Sequence, residues 1–422
     1  MNIESLHTQA ETLDAQDELA SYREQFYLPK SKHGHAQTYL CGNSLGLQPR
    51  SVPDYIQQEL LDWQNLGVEG HFHAERPWMP YHELLTAQMA RVVGALPDEV
   101  VCMNSLTVNL HLMMVSFYRP TDARYKIIRE RGAFPSDCYA IDSQLHFHGH
   151  NHDALIELTP REGEDGLRTE DILECIERNA DETALVLLPG VQYYTGQVLD
   201  VPTITRRARS LGCTVGWDLA HSVGNVMLEL HNSDADFAVW CNYKYMNSGP
   251  GAIGGCFVHE RHHNTKRPRF AGWWGQDKAS RFKMGPDFTP IQTSEGWQLS
   301  NPPILAMAPL LASLAVFDKA GLPKLTAKAR LQTQMVIDYL HAHFQDSIEL
   351  ITPTQNPADR GGQLSLRIAK HGKRVQQALI EADVICDWRE PDCIRIGFAP
   401  LYNSFTDGVR FLRILHRVLD HV

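Results

Sequence analysis

No run in this 422-residue sequence is apolar for long enough to cross a bilayer. Stretches such as Ala184 to Leu188 fall far short of the roughly 20 residues a spanning helix needs, so no membrane association is expected. No basic start leads into an apolar segment, and a secretory leader is not expected either. Positive charge is in deficit: 39 Lys and Arg face 50 Asp and Glu, a formal net charge of −11. The basic cluster at Arg261, Lys266, Arg267 and Arg269 is too short to make a nucleic-acid footprint against that balance. Cysteine is sparse and unclustered, with nine residues and no Cys-x-x-Cys pair. An odd count in a chain this long argues against a disulfide framework and for reduced thiols in a cytoplasmic protein.

What is present is ordinary globular composition, 43% hydrophobic and 21% charged. From about residue 100, short apolar or β-branched runs alternate with amphipathic stretches. Val100 to Met103, Tyr125 to Ile128, Ala184 to Leu188, Thr214 to Trp217 and Phe237 to Trp240 read as strands. Thr169 to Arg178 and Thr203 to Leu211 read as helices between them. This alternation predicts an α/β fold with a mostly parallel central sheet, whose ligands bind beyond the carboxyl ends of the strands. After Asn301-Pro302-Pro303 a helical pattern runs to about Phe344, followed by strands and a final amphipathic helix from Thr406. The expected division is residues 1–50 joining a small domain, 51–320 as the large domain and 321–422 as the small α/β domain.

Two charged residues stand at the ends of strand-like runs. Asp218 closes Thr214 to Trp217, and Lys244 follows Phe237 to Trp240 by a few residues, 26 positions later. That order suits pyridoxal phosphate, which needs a lysine amine to condense with its aldehyde and a carboxylate to keep its ring nitrogen protonated. Glycines at 249, 251, 254 and 255 permit close backbone approach. A solvated lysine is the bland alternative, and a nucleotide cradle is disfavoured because the Gly-x-x-x-x-Gly-Lys-Ser/Thr order is missing.

Asn104 to Leu110 follows a strand and opens an apolar-periodic helix, which suits either a phosphate site or a simple cap. Phe134-Pro135-Ser136-Asp137 reads as a turn in which Phe134 stacks on a planar ring and Ser136 or Asp137 caps the next helix. His146, His148, His150 and His152 would share one strand face and bind metal, or lie in a loop; no functional metal is expected. Gly272-Trp273-Trp274-Gly275 and Ser300-Asn301-Pro302 are undecided between ligand contact and interface packing.

Several of these stretches occur in one order: Leu40-Cys41-Gly42-Asn43-Ser44-Leu45-Gly46, NSLTVNLHLMM, AFPSDCYAI, GVQYYTGQ, VGWDLAHSVGN, CNYKYMNSGPG, RFKM and SNPPIL. Over nearly the whole chain the sequence resembles the kynureninase family, of the fold-type I group of pyridoxal-phosphate enzymes. The resemblance implies hydrolysis of L-kynurenine or 3-hydroxy-L-kynurenine to an anthranilate and L-alanine, in tryptophan degradation and NAD biosynthesis. It implies that Lys244 holds the cofactor and moves the α-proton, that Asp218 pairs with the ring nitrogen, and that Phe134 stacks on the ring. Leu106, Thr107 and Tyr243 would serve the phosphate, with Pro135 and Ser136 beside them, and His221 and Asp137 the ring and its 3-oxygen. Tyr243 would also act as an acid. Trp273 and Asn301 would come from the neighbouring subunit of a homodimer. Arg395 would clamp the substrate α-carboxylate, while Ser44, His71 and Asn301 line its aromatic end. Pro189 departs from the family's small hydroxyl residue and has no N–H to donate. Competing readings are another fold-type I enzyme, such as a cysteine desulfurase or aminotransferase, and a cofactor-free scaffold.

Overall fold

The computed structural model describes residues 2–421. Seven strands form the central sheet: β1 (Val100–Cys102), β2 (Lys126–Glu130), β3 (Leu155–Leu158), β4 (Thr183–Pro189), β5 (Thr214–Asp218), β6 (Phe237–Cys241) and β7 (Gly254–Val258). Their spatial order is β1-β7-β6-β5-β4-β2-β3. Only β7 runs against its neighbours; all the other strands point the same way. Successive side chains explain why these runs are continuously apolar. Val186, Leu188, Val215, Trp217, Ala238 and Trp240 pack into the core on one face. Leu185, Leu187, Phe237 and Val239 enter a separate core on the other. A strand buried on both faces carries no polar alternation.

Two strands escape the sequence pattern. β3 is an edge strand of four residues. β7 begins with Gly254-Gly255, residues that weaken strand propensity. The structure shows what they are for: a Cβ on Gly255 would stand 2.2 Å from the buried Trp240 indole. The His-rich stretch is not a strand at all. His146 lies in the helix Pro135–Phe147, His150 stacks on Tyr125 with centroids 5.2 Å apart, and His148 meets Tyr118 edge-on at 5.3 Å. The imidazoles therefore share no strand face.

Beyond Pro303 the helical pattern breaks at Gly321 into Ile304–Ala320 and Leu322–His343, bent by 80°. A second sheet follows, with β8 (Ile348–Leu350), β9 (Gln363–Ile368), β10 (Asp387–Arg389) and β11 (Cys393–Gly397), antiparallel in the order β10-β11-β9-β8. Its core unites Leu364 and Ile396 with Val409 of the C-terminal helix and with Leu6, Ala10 and Leu40 from the start of the chain. Asp14 tightens that union by accepting the free amides of Phe405 (2.6 Å) and Thr406 (3.1 Å), where the helix Phe405–Leu419 begins.

Candidate active site

The carboxyl ends of β2, β4, β5 and β6 meet at one rim of the large sheet. Glu130 ends β2, and Pro189 and Asp218 are register partners at the ends of β4 and β5. Tyr243 and Lys244 follow the end of β6, and all five residues line a single cleft. The helix starts at Leu106 and Pro135 bring Leu106, Thr107, Phe134, Ser136 and Asp137 to the same cleft, and His221 enters from the loop after β5.

One part of the cleft is rich in carboxylates. Asp218 is 7% exposed and accepts the Ala220 amide at 2.6 Å. Burial, reinforced by the negative charge of Asp218, pushes the Asp137 carboxyl well above the usual range. Burial also pushes Glu130 up to about 8, although Gln192 Nε2 donates to it at 3.3 Å. His221 is driven the other way: burial first, then the positive charges of Lys244 and Arg395, hold its imidazole neutral. Asp137 Oδ1 and His221 Nδ1 are both buried with no hydrogen-bond partner among the described residues. Burial raises the Tyr243 phenol as well, so it keeps its proton, and its ring centre is 5.8 Å from Lys244 Nζ.

Another part of the cleft supplies neutral donors. Ser105 makes no side-chain cap on the helix Leu106–Phe117, which leaves its first-turn amides open. The Thr107 and Ser136 hydroxyls lie 2.8 Å apart, tying the two helix starts together. The second helix is entered at Phe134, not capped by Ser136 or Asp137 as the sequence suggested, so both side chains are spared for the cleft. Phe134 presents a 46% exposed ring, edge-on to Tyr193 at 5.2 Å. Carboxylates for a protonated ring nitrogen, hydroxyls and helix-start amides for a phosphate, and an adjacent lysine form a donor set that fits pyridoxal phosphate. The unpartnered Asp137 and His221 atoms are the polar groups such a ligand would satisfy.

Other expected residues lie outside this lining within the chain. Pro135 is exposed at the helix start. Ser44 sits in a turn, Asn301 is exposed, and His71 Nδ1 is paired with the Val68 carbonyl at 3.0 Å. Trp273 donates its indole N–H to Arg281 O at 3.2 Å beside a different cavity. Arg395, in β11, is 1% exposed and bound to Asp387 and to the carbonyl of Tyr193. Sequence reasoning missed Glu130, Val191, Tyr193 and Ala220 as lining residues. For Glu130 a signal existed: a carboxylate ending a central strand belongs to the ligand rim.

Residues 325–415 match the family model described as kynureninase C-terminal domain. The chain is 55% identical to the kynureninase of Myxococcus xanthus over 96% of both chains. It is 50% identical to that of Christiangramia forsetii over 99% of both. This chain belongs to the kynureninase family. Among solved structures it is similar to a cysteine desulfurase, CsdA, from Escherichia coli, with a TM-score of 0.77 and 18% identity over 96% of this chain and 98% of that one. An apo cysteine desulfurase from Thermococcus onnurineus gives a TM-score of 0.75 at 17% identity, covering 92% and 95%. At such identities the likeness speaks for the fold, which is fold type I.

Proposed function

We propose that the cleft is the cofactor site of a kynurenine hydrolase. The chain cleaves the β–γ carbon bond of L-kynurenine or 3-hydroxy-L-kynurenine with water, giving anthranilate or 3-hydroxyanthranilate and L-alanine, a step of tryptophan degradation and NAD biosynthesis. The observation that carries this reading is the convergence of Lys244, Asp218 and the Thr107–Ser136 hydroxyl pair in one cleft of a chain half-identical to kynureninases. Bound pyridoxal 5'-phosphate supplies an electron sink for the carbanion left by bond cleavage.

The protein's own groups do the rest. Lys244 anchors the cofactor and moves the α-proton. Asp218 holds the ring nitrogen in its protonated state. Tyr243, kept as a phenol by burial, is the acid that protonates the β-carbon. His221, held neutral, and Asp137 hold the ring and its oxygen, and Phe134 covers a ring face. Leu106, Thr107 and Ser136 hold the phosphate, with Pro135 at the first position of the helix that carries Ser136. Trp273 and Asn301 complete the site from a second copy in a homodimer, and Ser44, His71 and Arg395 meet the substrate. The chain works in the cytoplasm on a small molecule, with residues 51–320 as the cofactor domain, 321–422 as the small domain and 1–50 joining the latter. The substitution Lys244→Ala tests the reading. It should abolish both the visible absorbance of bound cofactor and turnover of L-kynurenine, and a yellow, active variant would refute it.

A further inference from the structure

We propose that Asp387 is the positioning residue of the substrate-carboxylate clamp, holding Arg395 so that its two free N–H groups form a preset fork. This role rests on the assignment of Arg395 as that clamp. A guanidinium has five N–H groups. Arg395 Nε donates to Asp387 Oδ1 at 2.8 Å, Nη2 donates to Asp387 Oδ2, and Nη1 donates to Tyr193 O at 2.6 Å. Three donors are spent, which leaves one N–H on each Nη atom, and the two are parallel when the Tyr193 carbonyl takes the Nη1 hydrogen on the Cδ side, the arrangement the proposal requires. Two parallel N–H groups on neighbouring nitrogens are what a bidentate carboxylate requires.

The backbone makes this arrangement reproducible. Asp387 and Arg395 are register partners across the antiparallel pair β10–β11, so their side chains leave the same face. Arg389, two residues along β10, places Nη2 3.2 Å from Asp387 Oδ2. The fork also lies close to the chemistry. Tyr193, whose carbonyl takes the third donor, lines the cofactor cleft, and the charge of Arg395 acts on His221 within that cleft. Arg395 is 1% exposed, so its rotamer is fixed by these partners and not by solvent. A simple cross-strand ion pair holding the small sheet together would show the same contacts, so the test must separate position from stability.

The test uses the holoenzyme with Asp387→Asn, Asp387→Glu, Arg395→Gln and the double variant Asp387→Asn/Arg395→Gln. The readouts are KM and kcat for L-kynurenine, affinity for its decarboxylated amine analogue, and the thermal midpoint. Loss of a buried charge-assisted bond corresponds to about 10- to 100-fold. We expect Asp387→Asn to raise KM by that factor, with kcat much less changed and affinity for the carboxylate-free analogue unaltered. Asp387→Glu should recover part of the loss, and the double variant should be no worse than Arg395→Gln alone. A wild-type KM in Asp387→Asn with only a lowered thermal midpoint would overturn the proposal in favour of a structural ion pair. Additive losses in the double variant, or an equal loss of analogue affinity, would overturn it too. If Arg395→Gln itself leaves KM unchanged, the clamp assignment falls and this proposal with it; if Arg395→Gln raises KM and Asp387→Asn does not, only the role of Asp387 falls. Should Asp387→Asn not fold, Asp387→Ser decides: a KM for L-kynurenine indistinguishable from wild type, with the carboxylate gone, would sink the proposal, and a raised KM with unaltered analogue affinity would support it.

Discussion

Replacing Glu130 by Gln should make the protein more resistant to unfolding at alkaline pH. Glu130 is 4% exposed at the end of β2, has Asp218 as a negatively charged neighbour, and accepts a hydrogen bond from the Gln192 side chain. Burial pushes its carboxyl from 4.5 up to about 8. The native state therefore holds a proton that the unfolded chain releases at lower pH. Stability contributed by that proton is intact below the unfolded value near 4.5 and drains away as pH rises through about 8. At about 1.4 kcal/mol per pH unit, the drain amounts to about 5 kcal/mol by pH 9. Gln keeps the shape and carries no titrating proton, so the variant should lack this slope. The assay is denaturant unfolding of wild type and Glu130→Gln in parallel from pH 5 to pH 9. The free-energy gap should widen in favour of the variant by about 3–6 kcal/mol across that range. A constant gap would refute the claim that Glu130 is forced to hold a proton.

Three further outcomes follow from the same structure. With Asp218 pairing with the ring nitrogen as proposed, Asp218→Asn should lower cofactor affinity about 10- to 100-fold in an absorbance titration of the apoprotein; unchanged affinity would mean the carboxylate is misassigned. Asp236 is buried, but hydrogen bonds from His262 (2.7 Å) and Arg261 (2.7 Å) overcome burial and pull its carboxyl down to about 2. Its contribution, about 2 kcal/mol, is present above the ordinary 3.8 and lost as pH falls toward 2. The stability deficit of Asp236→Asn should thus shrink between pH 5 and pH 3, and a deficit independent of pH would contradict the pairing. Gly255→Ala should destabilise the large sheet severely, because its Cβ would collide with the Trp240 ring at 2.2 Å; a wild-type thermal midpoint would show that β7 does not pack as described.

The large sheet was legible where both faces of a strand are buried, since runs such as Ala184 to Leu188 leave no polar residue to blur the signal. It was illegible at β7, where packing against Trp240 demands glycines that local propensity reads as a loop. Asp218 and Lys244 could be found because each ends an apolar run, and strand ends define the ligand rim. Glu130 obeys the same rule but was hidden, because its strand was expected to stop at Ile128 and instead runs two residues further. The caps at Ser136 and Asp137 were misplaced by a similar margin: Pro135 takes the first helical position, which moves the cap back to Phe134. The roles of Ser44, His71, Trp273 and Asn301 rest on family resemblance, since no geometric rule within one chain brings them to Lys244.

The most direct measurement is turnover of L-kynurenine and 3-hydroxy-L-kynurenine, side by side, by the protein with added pyridoxal phosphate, quantifying the anthranilate product and L-alanine. The account predicts the two products in equal amounts from at least one substrate, with the rate ratio giving the ring preference. A yellow protein that releases neither product from either substrate would contradict it, leaving the cofactor cleft in place and the reaction wrong.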